Sequence, residues 1–211
     1  MPLELRRVEA SDHDILERCI VVETAAFDSS HIKPIVYPGP FPPDADERRV
    51  AELSETLSKE PNIHFIAVAD TEIEGPNAIV AWGKWMVYAE GMPPPKERTF
   101  SPGMNFEAAK LMYGGIDGLR KNVEGLKCIY LSVLVTDPAH QGRGAGKLLM
   151  QWGADEADRL GLATFLESSE PGHVLYPKFG FQDVEPLVVS LAQFGLERPY
   201  RAWGMVRPAK E

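Results

Sequence analysis

Hydrophobic and polar positions change period several times along the chain, and each change marks an element. Leu3, Leu5 and Arg7 alternate with Glu4, Arg6 and Val8, the two-residue period of a short strand. Ser11 or Asp12 then caps a helix running toward Phe27, with Ile15, Leu16, Cys19 and Ile20 on its apolar face. Residues 29–43, which include IKPIVYPGPFPP, are too rich in proline for a regular element and predict an irregular loop. A charged amphipathic helix follows over about 44–58, its apolar face made by Val50, Leu53 and Leu57. NIHFIAVAD at 62–70 and AIVAWGKWMVY at 78–88 are β-rich runs separated by a turn at Gly75 and Pro76, so an antiparallel pair is expected.

Residues 89–127 interrupt this strand pattern. A proline-rich stretch leads into a helix-like segment in which Phe106, Ala109, Met112 or Tyr113, Ile116, Leu119 and Val123 recur at three and four. Gly114, Gly115 and Gly118 each weaken that helix by roughly 1 kcal/mol relative to alanine, so it needs the rest of the protein to hold it. CIYLSVLVT at 128–136 is the strongest strand signal, and its nearly continuous apolar character places it centrally, covered on both faces. There follow a glycine-rich turn, a helix over 145–160, a strand at 163–167, a short helix near 173–178, a strand at 181–184 and a last strand around 201–206. The order predicts a mixed α+β fold, a central and mostly antiparallel sheet flanked by helices, with an insertion before the central strand. No linker divides the pieces, so 1–211 reads as a single domain, with 89–127 an insertion within it.

Composition narrows the functions available. With 22 basic and 31 acidic side chains the formal net charge is -9, which argues against nucleic acid or an anionic membrane as partner. Two cysteines, Cys19 and Cys128, make neither a disulfide framework nor a cysteine-rich zinc site. His31, His64, His140 and His173 are not spaced as ligands, so no metal is expected. The first residues lack the apolar run of a signal peptide, no stretch is long enough to span a membrane, and a cytoplasmic location is the expectation.

Against this acidic background, Leu131 to Gly161 carries the chemistry. A buried strand ends at Asp137 and Pro138, and Gln141, Gly142, Arg143, Gly144, Ala145, Gly146 and Lys147 lead into a helix. The glycines allow a ligand close to the backbone, the first-turn N–H groups have no intrahelical acceptor, and the helix dipole favours an anion there. Arg143 and Lys147 add local positive charge. Lys147 is followed by Leu148, so this is not a Walker A loop. A plain glycine turn before a core helix is the competing reading. The helix itself is amphipathic, with Ala145, Leu148, Leu149, Trp152, Ala157 and Leu160 on the apolar side and Lys147, Gln151, Asp155, Asp158 and Arg159 toward water.

LYPKFGF follows at 175–181. The pattern LxxDPxxQGRGxG at 134–146, joined to YxKFGF at 176–181, resembles the GCN5-related N-acetyltransferase (GNAT) family over roughly 128–184. The resemblance implies a GNAT-like acyl-CoA N-acyltransferase fold and acetyl-CoA as acyl-donor substrate. It implies that the strand end at Leu134, Val135 and Thr136 pairs with the pantetheine arm, and that residues Gln141 to Lys147 bind the pyrophosphate. Tyr176 matches the tyrosine that protonates the departing thiolate in many members, a role suited to a phenol near its ordinary pKa of about 10. Its alternative is an aromatic anchor. Where many members carry Asn, seven residues before this tyrosine, the chain has Ser169, which alters one cofactor contact.

No general base is fixed by the pattern. Tyr130 and Ser132, with Cys128 and Leu134 on the same face of the central strand, offer a way to order a water that takes the amine proton, and a packing role for Tyr130 is the alternative. Glu167 at the end of the next strand is a third candidate. The implied reaction is direct transfer of acetyl from acetyl-CoA to a primary amine of a small molecule or peptide. A non-catalytic acyl-CoA-binding regulatory module and an acyltransferase for longer chains are the alternatives. Residues 86–127 and 35–43, with Trp85, Tyr88, Phe100, Phe106, Met112 and Tyr113, are expected to roof the acceptor pocket or to form a homodimer patch.

Overall fold

The computed structural model describes residues 2–210. The chain divides into two compact units. The first holds Met1–Ser29, Pro43–Val87 and Tyr130–Glu156, and the second holds Ser30–Pro42, Tyr88–Ile129 and Ala157–Glu211.

The first unit is built on β1 (Leu3–Val8), β2 (Ile63–Asp70), β3 (Ile79–Tyr88) and β4 (Cys128–Thr136), neighbours in that order. β1 pairs with β2 antiparallel from Leu3 opposite Asp70 to Val8 opposite Phe65, and β2 pairs with β3 antiparallel across the turn expected at Gly75 and Pro76. Two helices bury their apolar faces in this unit: α1 (His13–Asp28) through Ile15, Leu16, Cys19, Ile20 and Val22, and the α-helix Ala45–Lys59 through Val50 and Leu53. Phe65, Ala67 and Trp82 supply the strand side of that core. The Trp82 indole, fully buried, donates to the Cys19 carbonyl of α1 at 2.8 Å, so this ring leaves no orphan donor in that core. β1 shows less than its alternation promised. It lies at the edge, Leu5 is 40% exposed, and only Val8 is fully buried.

The second unit has β5 (Ala163–Ser169), β6 (Gln182–Leu191) and β7 (Leu196–Arg207), with β7 in the middle and both pairings antiparallel. β6 and β7 are far longer than the four- and six-residue strands expected from the sequence. They form one hairpin closed by a 3-10 turn at Ala192–Phe194 and by Gly195 in the left-handed region. Pro186 hid the continuity, since proline inside a strand normally ends it. It is tolerated because β6 is an edge strand, with no neighbour on its outer side that would need the N–H proline lacks.

The loop expected at 29–43 also contains a short helix, α2 (Lys33–Val36), with Pro34 in its first turn, where a missing N–H costs nothing. The α-helix Ala45–Lys59 is therefore α3. In α4 (Phe106–Lys121) the Asn105 side chain caps the first turn by accepting the Ala108 N–H at 3.2 Å. Ala108, Ala109 and Met112 of α4 pack with Ile32, Val36, Val189 and Leu191, which is how the second unit stabilises a glycine-weakened helix. Gly115 has a use as well. A β-carbon there would come 2.9 Å from a Leu187 methyl, so the glycine is what lets β6 lie close. The expected α4 stripe needs one correction: Phe106 is 54% exposed and rests against Phe100 at the surface.

Helix α5 (Ala145–Leu160) begins and ends where the sequence placed it. Its apolar stripe is shifted. Leu160 is 37% exposed, whereas Met150, Gly153 and Ala154 are buried. The cause is Trp85, fully buried, whose ring lies over Gly153 and 5.7 Å from the Trp152 ring. Trp85 and Met112, at 0% and 3% exposure, belong to cores rather than to a pocket roof, which corrects that expectation. An alanine β-carbon at 153 would fall inside the van der Waals envelope of the Trp85 ring, 2.7 Å from Cζ2. Gly153→Ala should therefore lower stability by about 1–3 kcal/mol despite alanine's better helix propensity. Urea unfolding of the two proteins checks this; equal midpoints would mean the Trp85 ring moves freely.

Candidate active site

In the first unit the site is the end of β4 and the turn that follows. The strand's N-terminal half is buried, including Tyr130 at 2% exposure, while Ser132, Val133 and Leu134 are half-buried. At its end, Asp137 closes a 3-10 turn over Pro138–His140 by accepting the Ala139 N–H at 3.0 Å, and its own N–H donates to the Val80 carbonyl of β3 at 2.8 Å. Arg18 of α1 clamps the same point, donating to Asp137 at 2.6 Å and to the Ile79 carbonyl at 3.0 Å. Burial alone would raise the Asp137 carboxyl. The Ala139 N–H and the Arg18 guanidinium more than offset that and hold it below the usual carboxylate range.

Beyond this anchor the Gln141 amide reaches back to the Thr136 carbonyl at 3.5 Å. Gly142 and Gly144 have φ of 75° and 92°, a region that side-chain-bearing residues avoid. Helix α5 makes its entering hydrogen bond from the Leu148 N–H to the Gly144 carbonyl at 3.1 Å. The N–H groups of 142–147 donate to no acceptor among the described residues, leaving a row of unpaired donors at a helix N-terminus. Lys147 is exposed. Arg143 is not directed outward. Its Nη2 lies 2.6 Å from the Asp70 carboxylate and its Nη1 donates to His140 Nδ1 at 2.9 Å. Asp70, Arg18 and His140 gave no local signal in the sequence, because each acts by a contact that only the fold creates.

The second unit carries the other candidates. Tyr176 opens a 3-10 turn, is 7% exposed and sits edge-on to Phe181 at 5.9 Å. Burial pushes its phenol up to about 12, which corrects the ordinary value near 10 expected from the sequence. Ser169 and Tyr176 are brought together across Gly172. A β-carbon there would lie 3.3 Å from the Ser169 hydroxyl and 3.5 Å from the Tyr176 hydroxyl. The Ser169 carbonyl receives the His173 N–H at 3.0 Å, which closes the loop between them. Glu167, on the same face of β5 as Ser169, is gripped by Arg120 of α4 at 2.6 Å. Arg120 also approaches Asp117 at 3.7 Å, and Asp117 takes three hydrogen bonds from Arg98. The Tyr200 phenol is pushed up to about 12, chiefly by burial and further by Tyr113 and Glu167.

Neither cysteine is a nucleophile in waiting. Both are buried, and burial raises each thiol to about 12. Among the described residues no three His, Cys, Asp or Glu are placed to hold a metal ion, and no helix is long and apolar enough to cross a membrane.

The sequence profile of the "Acetyltransferase (GNAT) family" matches residues 33–181. A probable acyltransferase of Ajellomyces capsulatus, SID5, is 38% identical over 55 residues. The match covers 26% of this chain and spans only 40% of that relative's length. Among solved structures, a histone acetyltransferase HPA2 and related acetyltransferase from Corynebacterium glutamicum aligns at TM-score 0.61 and 17% identity over 100% of this chain and 98% of its own. A mosquito arylalkylamine N-acetyltransferase like 5b aligns at 0.61 and 15%, covering 97% and 98%. YncA of Salmonella typhimurium, solved with acetyl-CoA, aligns at 0.56 and 15%, covering 100% and 96%. Helices flanking mostly antiparallel strands, a profile match over most of the chain and these likenesses of fold agree: the chain belongs to the GNAT family of acetyltransferases.

Proposed function

We propose that the protein transfers the acetyl group of acetyl-CoA to a primary amine by direct attack. The observation that carries this reading is the row of unpaired N–H donors from Gly142 to Lys147 at the start of α5, which fits a diphosphate. Leu134, Val135 and Thr136 then present the strand end to the pantetheine arm, and Ser169 and Tyr176 are the residues that family membership assigns to the donor. The mosquito relative, named for an arylalkylamine acceptor, and YncA, solved with acetyl-CoA, support the two substrates by analogy.

In the reaction the amine lone pair attacks the thioester carbonyl carbon, and the carbon–sulfur bond breaks. The thiolate takes a proton from Tyr176, and the amine loses one to a water ordered by Tyr130 and Ser132 or to Glu167. A phenol at about 12 remains protonated throughout the neutral range. A free thiol titrates near 8.5, so full transfer is favoured only while the thiolate forms in surroundings that desolvate it too. The exposed Phe106 ring, with the half-buried Phe100 against it, belongs in this reading to the acceptor side.

Incubation with acetyl-CoA and a panel of amines and peptides should release free CoA, with product mass raised by one acetyl group. Silence across the whole panel, with acetyl-CoA still bound, would favour a regulatory binding module; release from longer thioesters alone would favour another acyl donor. Tyr176→Phe should lower kcat by about 100-fold while leaving acetyl-CoA affinity nearly intact. A parallel fall in both would make the residue an anchor.

The Tyr176 phenol also ties stability to alkali. Its folded pKa, about 12, lies above the unfolded value near 10, so its contribution is intact below pH 10 and is lost as pH rises toward 12. The loss amounts to about 3 kcal/mol. Tyr176→Phe should therefore flatten the fall in unfolding free energy between those pH values, and an unchanged slope in urea titrations would contradict the burial of this phenol.

A further inference from the structure

Arg143 stands between two glycines in left-handed backbone, the stretch of the turn with most conformational freedom, and its side chain is the one that can restrain it. The restraint comes from Asp70, the last residue of β2. The Asp70 side chain is 4% exposed, takes the Glu72 N–H at 3.1 Å on Oδ1, and meets Arg143 at 2.6 Å on Oδ2. His140 receives the other terminal nitrogen of the guanidinium on Nδ1, which fixes the neutral ring's proton on Nε2. Arg143 is thus drawn toward β2, and both of its terminal nitrogens are engaged.

A carboxylate beside a diphosphate site repels the ligand, so its presence there calls for a compensating use. Swinging Arg143 onto a phosphate would strand the nearly buried Asp70 charge. We infer that Asp70 is a positioning residue for acyl-CoA binding, pinning the glycine turn through Arg143 so that the N–H groups of 142–146 converge on one anion. Arg143 is then an anchor of the turn and not a phosphate ligand, and the exposed Lys147 together with the α5 N-terminus supplies the attraction.

This rests on the acyl-CoA reading above, and direct binding measurements separate the two. Calorimetric titration of the native protein with acetyl-CoA comes first; failure to bind would overturn the acyl-CoA reading and this inference with it. Given binding, Asp70→Asn and Arg143→Gln should each weaken acetyl-CoA about tenfold. The double variant should be no weaker than either, because the two residues act as one unit. Acetylpantetheine, which lacks the diphosphate, should bind all four proteins equally in NMR titrations. Asp70→Glu should recover part of the loss. Should Asp70→Asn fail to fold, as circular dichroism would reveal, Arg143→Gln at its partly exposed position carries the same comparison. Tighter binding by Asp70→Asn would show Asp70 competing with the ligand for Arg143. That result, unchanged affinity, additive losses or an equal loss for acetylpantetheine would each overturn the inference.

Discussion

The organisation of the first unit depends on one guanidinium. Arg18 projects from α1 onto the Ile79 carbonyl and the Asp137 carboxylate, so one side chain fixes where α1, the start of β3 and the end of β4 meet. Asp137 is itself a cap, and its N–H is committed to β3. With both side chains 15% exposed, water competes little with the pair. The turn after β4 takes its direction from that junction, including the left-handed glycines and the first turn of α5. The turn is free to be rich in glycine because its entry is held from outside.

The second unit solves a different problem. It presents polar side chains from strands and turns, and it does so with charges that neutralise one another. Arg98 grips Asp117, Arg120 bridges Asp117 and Glu167, and Arg98 also lies 4.6 Å from the Tyr113 ring. Because Arg120 is shared between Asp117 and Glu167, the network favours a single geometry for Glu167. Tyr176 is held by shape instead, through Phe181 and the close approach permitted by Gly172.

Much of this was legible beforehand, for identifiable reasons. β2, β3, β4 and α5 carry strong periodicity or nearly unbroken apolar runs, and their bounds follow. The motif residues of the turn lie within seven positions of one another, so local sequence displays them. What escaped were features that depend on contacts distant in the chain. Nothing near Asp70 announces Arg143, and nothing near Gly153 announces Trp85, which displaced the buried stripe of α5 onto Met150 and Ala154. The length of β6 was hidden by Pro186, whose tolerance depends on an edge position that topology alone decides. The Tyr176 phenol followed the same rule, since its environment comes from packing rather than from its neighbours in sequence.

The sealing of Cys19 and Cys128 has a practical side. The chain holds two cysteines, both buried with thiols raised to about 12. In the folded protein neither offers thiolate to an electrophile at neutral pH. A cysteine introduced on the surface, for instance in the exposed stretch of β6, would therefore be the single site at which a fluorophore or spin label attaches. Motions of the insertion or of the β6–β7 hairpin thus become open to spectroscopy without first stripping the native cysteines from the core.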